Sequence, residues 1–430
     1  MSINRRQVLR VVGQGFAAFG AQAGFSVSDA FAANKQPAGT EEEQEEEKKK
    51  STLVSNVEEF GRGRTRIALL LPNIEGPFRF AADAVLRGII AAHAVDGKGV
   101  YVKVFRIEDP EFADAREVYR QLQRERFQLA IGPLIRSELN GLARMPELPI
   151  PTLGLNLPDQ GREIPLNCAL FSLAVEFDGR SAARFAFAEA YQRVGNQRPL
   201  RALAISDTKS LSQRSADAFT EGWQAYGGET EAPIVRNIRS KREMSRLLSG
   251  IRADVVFAAV DPLVMGKVRS AFSSALPIYG TSQLNVGALP TVPKAELLAA
   301  PELDGVRVVE MPWQLMPDHP AVAAYRRSRR LPHMEMQRLY AFGIDAWRLA
   351  RGLLAQAEQG LGAEPISLDG VTGRLYLDLN LDPRVSREPV LGVYRRGILQ
   401  PAYASEAQAQ PGESDTAQPT KPAPGTRRHN

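Results

Sequence analysis

Residues 66–72, Arg-Ile-Ala-Leu-Leu-Leu-Pro, form an apolar run of strand length that is broken at Asn73 to Phe78 and handed to a helical pattern from Arg79 to Ala92. Such a run predicts a buried parallel strand of a βα repeat, with its loop opening at the carboxyl edge of a sheet. Open α/β sheets bind their ligands at that edge. The same cadence returns at Phe127 to Leu134 and at Pro149 to Asn156, so three loops with small or φ-restricted residues are expected to converge on one edge.

The alternation continues for most of the chain. Further strands are predicted at Val100 to Ile107, Ala169 to Leu173, Leu200 to Ile205, Ala232 to Ile238, Val255 to Ala259, Ile278 to Gly280 and Val306 to Glu310. Between them, helical spacing covers Ala113 to Glu125, Arg136 to Ala143, Gly179 to Val194, Leu211 to Tyr226, Arg242 to Gly250, Leu263 to Ala275, His319 to Arg329 and Leu339 to Ala357. Strands separated by amphipathic helices imply parallel sheets with covered faces. One doubly wound sheet rarely needs so many repeats, so the expected fold class is α/β with two Rossmann-like lobes and a hinge. The expected lobes are about 65–175 with 335–362, and 176–334 with 363–403.

The two ends read differently. Asn4-Arg5-Arg6-Gln7 precedes a weakly apolar segment from Val11 to Phe25 and a small-residue site at Ala30-Phe31-Ala32, the layout of a removable export signal over residues 1–33. The adjacent arginines fit the twin-arginine class, with an ordinary secretory signal as the alternative. Six Gly and Gln residues between Gly13 and Gly24 make the segment too polar for a membrane span. No cysteine lies nearby, which predicts a chain without a lipid anchor there. Residues 34–64, with a Glu-rich block at Glu41 to Glu47 and then Lys48-Lys49-Lys50, read as a solvated linker, and 404–430 as a polar tail.

Composition excludes more than it assigns. A net charge of +5 over 430 residues, with cations scattered among acids, gives no nucleic-acid footprint despite a pI near 9.3. Cys168 is the only cysteine, which removes intramolecular disulfides, CxxC chemistry and cysteine-rich zinc sites. His93, His319, His333 and His429 lack metal-ligand or triad spacing, so neither a metal nor a cofactor is expected.

Nine strings in a fixed order carry a family likeness: IALLLPNIEGPF, AIGPLIRSELNGLA, IPTLGLN, FSLAVEFDGRSAARFA, RALAISDTKSLSQRSADAFTEGW, LPIYGTS, LDGVRVVEMPW, RLYAFGIDAWRLA and LDGVTGRLYLDLN. The segment from Arg64 to about Gly397 resembles the carboxyl-terminal domain of the LpoA-type penicillin-binding-protein activators. That resemblance implies a type I periplasmic solute-binding-protein fold, a periplasmic location and a class A penicillin-binding protein as partner. Full-length members also carry a helical-repeat domain and a lipid anchor, where this sequence has the Glu/Lys-rich spacer.

Candidate ligand or cleft residues sit on the loops after strands. Asn73, Gly76 and Pro77 follow the first strand, and Thr281 and Ser282 follow Ile278 to Gly280. Gly132, Pro133 and Leu134, with Gly154 and Asn156, let backbone amides approach a bound group or simply close tight βα turns. Ser206, Asp207 and Asp261 are polar-ligand candidates, or helix caps. Trp223 and Trp347 are expected in the core, and Trp313 either at the hinge or on the cleft wall. Two functions are open: a non-catalytic regulator of peptidoglycan synthesis, which the family resemblance implies, or a soluble receptor for amino acids or similar metabolites, with a small molecule or wall fragment in the cleft. A glycan hydrolase would need two carboxylates facing each other across a cleft, a geometry sequence alone does not supply. A receptor for free amino acids needs a buried carboxylate for the α-ammonium, which separates it from the regulator.

Overall fold

In a computed structural model of the chain, the structure describes residues 57–402 apart from 109–111, 113–114, 196, 236–239, 286–299, 329–330, 332–333 and 361–363. The export signal, the Glu/Lys block, the carboxyl tail, His333 and His429 lie outside the described residues.

The first lobe runs β1 (Glu59–Gly61), β2 (Gly63–Pro72), α1 (Arg79–Asp96), β3 (Gly99–Ile107), α2 (Ala115–Arg124), β4 (Leu129–Ile131), α3 (Arg136–Leu142), β5 (Glu147–Gly154) and β6 (Leu166–Leu170). The chain then crosses and builds α4 (Val175–Val194), β7 (Arg201–Ser206), α5 (Ser210–Ala225), β8 (Glu229–Glu231), α6 (Lys241–Leu247), β9 (Val255–Ala259), α7 (Pro262–Ala271), β10 (Ile278–Gly280) and β11 (Val306–Glu310). It returns through α8 (Pro312–Leu315), α9 (Pro320–Ala323) and α10 (Met334–Gln359) to the meander β12 (Ile366–Asp369), β13 (Arg374–Asp378) and β14 (Asp382–Glu388), and ends in β15 (Val390–Arg395) and β16 (Ile398–Pro401).

Two sheets result, ordered β1-β3-β2-β4-β5-β6-β14-β13-β12 and β16-β15-β11-β10-β9-β7-β8. Their centres are parallel, as the continuous apolar runs require; Ile67 to Leu71 of β2 are all 0 % exposed. Each sheet is covered on both faces. One core joins β2 to α1 and α10 and another lies under α2 and α3, while the second sheet is packed by α4 and α5 on one side and α6 and α7 on the other. Helix α10 is buried without interruption from Arg338 to Trp347, as a helix that is apolar nearly all round must be. It lies against α1 at backbone distance: a Cβ on Gly343 would sit 2.2 Å from Val85 O, and one on Gly88 2.0 Å from Tyr340 O.

The lobe boundaries differ from those expected. Residues 366–388, expected in the second lobe, extend the first sheet, because Ile366, Leu375, Leu377 and Val385 bury on the core under α10; only β15 and β16 join the second sheet. Met311, Trp313, Val322 and Leu331 also belong to that first core, so the return crossing comes at Met311 rather than near 335. Part of the expected linker is structured as well, since β1 pairs with β3 and Val57 and Phe60 pack on the core. The helix expected from His319 to Arg329 shrinks to Pro320–Ala323. A run of cations follows it, and Arg327 turns back to stack on the Trp313 ring and donate to Trp313 O. Instead of a strand over Ala232 to Ile238, the structure has β8 at Glu229–Glu231 and a single bridge at Ile234; 236–238 lie outside the described residues.

Candidate functional site at the lobe crossings

Three crossings join the lobes: residues 171–174 after β6, Met311 after β11 and Pro389 between β14 and β15. β6 pairs in parallel with β5 and β14, and β11 with β10, so each crossing leaves from the carboxyl edge of the parallel strands, where the candidate loops also lie.

The first-lobe candidates are turn residues whose polar groups are taken. Asn73 Oδ1 accepts from Glu75 N at 3.1 Å and Asn73 O from Gly76 N at 3.1 Å, with Pro77 exposed beside them. Gly132 adopts φ 107° and donates to Leu153 O at 2.8 Å, and a Cβ there would meet Leu70 O at 2.1 Å, so the backbone requires glycine. Pro133 O accepts from Leu155 N and Gly154 O from Phe171 N. Buried Asn156 donates to Leu134 O at 2.9 Å, tying the loop after β5 to the loop after β4. These contacts favour the tight-turn reading.

In the second lobe, Asp261 caps α7 through Leu263 N at 3.0 Å, and Asp207 Oδ1 accepts from Lys209 N at 2.9 Å. Lys209 Nζ lies 3.9 Å from both carboxylates, so an unpredicted lysine brings two predicted residues together. Ser206 is buried at the end of β7, where its backbone holds Pro233 and Val235. Thr281 is buried and starts the turn at Ser282–Leu284.

Ser282 leads to the feature that sequence reasoning missed. Its Oγ donates to Asp178 Oδ2 at 3.0 Å, and Asp178 Oδ1 accepts from Arg387 Nη2 at 2.6 Å. Ser282 O accepts from Arg338 Nη2 at 2.8 Å, and the same nitrogen reaches Glu310 Oε2 at 2.6 Å. Glu310 is also held by Asn285 Nδ2 at 2.9 Å and Met311 N at 2.9 Å. Arg387 Nη1 donates to Thr372 O, and Thr372 in turn donates to Asp345 Oδ2 at 2.7 Å. Two arginines of the first lobe, on α10 and β14, thus grip two carboxylates of the second, on β11 and α4, beside the crossings. All four are buried. Burial alone would push the Arg338 guanidinium down, but Glu310 and Glu335 beside it hold it above its ordinary range. Burial raises Asp345 despite the donors from Thr372 and Val371. The available signal was a charge set inside an apolar string at Val308-Val309-Glu310-Met311; Asp178, between Glu176 and Arg180, carried no such signal.

Other buried acids are equally committed. Glu138 accepts from Ile135 N at 3.2 Å and is pushed up to about 8 by burial. Asp83 pairs with Arg87 at 2.7 Å and Asp254 with Arg198 at 2.7 Å. Among the described residues no cluster of His, Cys, Asp or Glu is arranged to hold a metal, and no helix is long and apolar enough to cross a membrane. Cys168 is buried in β6, its thiol pushed up to about 12 by burial. Trp223, Trp313 and Trp347 are all core residues; Trp313 packs at the crossing and donates to Gln337 Oε1 at 3.2 Å.

Comparison with known proteins finds the same lineage. Curated proteins named penicillin-binding protein activator LpoA match at 26 % identity in Glaesserella parasuis, over 69 % of this chain and 49 % of the relative, and at 24 % in Haemophilus influenzae, over 78 % and 55 %. The chain therefore spans about half the length of these relatives. Among solved structures, a Chromobacterium violaceum protein described as a "putative branched-chain amino acid ABC transporter" superposes with a TM-score of 0.63 at 33 % identity, over 77 % of this chain and all of that one. The C-domain of LpoA from Haemophilus influenzae, described as a regulator of PBP1A, gives 0.60 at 20 % identity, over 79 % of this chain and all of that one. Both support the two-lobed fold of type I periplasmic binding proteins. The family "LppC putative lipoprotein" matches residues 56–254 and 252–397, and because its description names lipoproteins, the expectation of a chain without a lipid anchor finds no support there. With matches over nearly all of the two-lobed domain, the chain belongs to the LppC family.

Proposed function

We propose that this protein is a non-catalytic regulator in the bacterial envelope, which binds a class A penicillin-binding protein and raises its rate of peptidoglycan synthesis. Relatives named as activators match over 69–78 % of the chain. The observation that carries this reading over the receptor is the state of the buried carboxylates. Asp83, Glu138, Asp178, Asp254, Glu310 and Asp345 are each held by donors of the protein itself, so none of these six offers an ammonium ligand a free partner; half-buried Glu176 is engaged by Arg214 through Oε1, while its Oε2 is buried without a hydrogen-bond partner. The envelope location rests on residues 1–33 as an export signal, which lie outside the described residues.

The receptor is a second reading, favoured by the 33 % identity to the Chromobacterium violaceum protein. An activator needs only to prefer the active state of its partner, and a preference of about 1.4 kcal/mol shifts that equilibrium tenfold. The test is a reconstituted assay of glycan polymerisation and crosslinking with the purified class A synthase of the same bacterium, alongside calorimetry with leucine, isoleucine and valine. Stimulation of the synthase, no turnover by the protein alone and no heat with the amino acids are expected. Saturable binding of an amino acid together with an unresponsive synthase would replace this reading with the receptor.

A further inference from the structure

Strands β13 and β14 close through Leu379-Asn380-Leu381, between the paired residues Asp378 and Asp382. The turn is held by its own atoms. Asp378 Oδ1 accepts from Asn380 N at 3.0 Å and Nδ2 at 3.2 Å, and Asp378 O accepts from Leu381 N at 3.0 Å. Yet Leu381 is 81 % exposed and Leu379 47 %. Arg384 of β14 pairs in parallel with Leu170 of β6, so the starts of both strands lie at the same end of the sheet, and Leu166, 68 % exposed, begins β6. Tyr376, also exposed, stands opposite Ser386 on the sheet face turned away from α10.

Single exposed leucines need no explanation, but three at one end of one sheet, two of them on a locked turn, form a patch. Resting on the function proposed above, we infer that this leucine turn anchors the protein in an apolar recess, rimmed by Lys or Arg, on the class A synthase. The rim charge follows from complementarity. Glu147 pairs with Leu166 in register, and Asp378 and Asp382 flank the turn, while Arg384 is the only cation between 378 and 384 and is engaged with Asp382 at 3.2 Å. The same carboxylates oppose docking on an anionic lipid surface. A turn already fixed by its own hydrogen bonds loses little freedom on binding, which suits it to be one of the few residues that dominate an interface.

The test uses the full chain with Leu379→Ser and Leu381→Ser together, and the purified class A synthase of the same bacterium as probe. Leu263→Ser, at a residue 79 % exposed at the start of α7 in the other lobe, is the control. At least a tenfold weaker Kd and loss of stimulation are expected for the double variant, with an unchanged melting temperature and a wild-type-like control. Wild-type binding and stimulation by the double variant would overturn the anchor. So would a wild-type dimer in sedimentation that the substitutions split, or phosphatidylglycerol vesicle binding that they abolish. If the unmutated protein itself leaves the synthase unchanged, the proposed function fails and the anchor falls with it. That outcome is distinct because it is read on the wild type.

Discussion

Glu138 shows how far one buried side chain departs from its sequence setting. It follows Arg136 and Ser137 and looks like an ordinary first-turn acid, yet it is 1 % exposed, and its carboxylate closes the start of α3 by accepting from Ile135 N. Burial dominates that hydrogen bond and pushes its pKa up to about 8. A raised folded-state pKa means the acid form is favoured on folding. The stability it contributes is complete below the unfolded value, about 4.3, and is lost as pH rises toward 8. Glu138→Gln, which keeps an acceptor and removes the titration, should match the wild type in acid and exceed it at pH 8 by on the order of 1 kcal/mol or more. Urea unfolding of both proteins at pH 5 and pH 8 checks this, and parallel pH profiles would exclude a titrating Glu138. At the same scale, Asn156, Gly132 and Asp261 are ligand candidates by sequence, with turn and cap roles as the alternatives, and their hydrogen bonds serve the loops and the cap of α7.

Helices α1 and α10 meet through Gly88 and Gly343, and the element scale decides the sign of a substitution there. In an exposed helix, Gly→Ala gains about 1 kcal/mol of propensity. At Gly343 the added methyl would lie 2.2 Å from Val85 O, a contact backbone cannot relieve without shifting the helices. Overpacking of this kind costs about 1–3 kcal/mol, so Gly343→Ala is expected to destabilise on balance, as measured by the denaturant midpoint. An unchanged or raised midpoint would mean that α1 and α10 sit further apart. The existence of α10 was legible from its apolar periodicity; its partner was not, because α1 lies some 250 residues earlier and Gly343 looks like a helix weakness until the neighbour is known.

For the whole molecule, the buried pairs Asp178–Arg387 and Glu310–Arg338 set one lobe against the other. Removing one member leaves a buried charge without its partner, and Asp178→Ala should cost about 3–5 kcal/mol. Replacing both members with apolar residues of similar volume, Asp178→Leu with Arg387→Met, should recover most of that loss, since buried ion pairs roughly balance their own desolvation. Equilibrium unfolding of the single and double variants tests the pair, and a single variant as stable as the wild type would show that it carries no weight. The pairing also bears on function. An orientation held by buried ionic contacts suits a docking protein more than a clamp that must open for a solute.

Local patterning by itself determined the βα cadence, the α/β class and two sheets, because apolar periodicity reports burial directly and each strand or helix carries its own signal. The strings from Ile67 to Asn380 likewise sufficed for the family. Tertiary structure alone decided that residues 366–388 extend the first sheet, that Met311 marks the return crossing, and that Asp178, Glu310, Arg338 and Arg387 meet. Those outcomes depend on which faces find each other across 209 residues in one case and 28 in another, and a charge inside an apolar run does not name the partner that makes its burial tolerable.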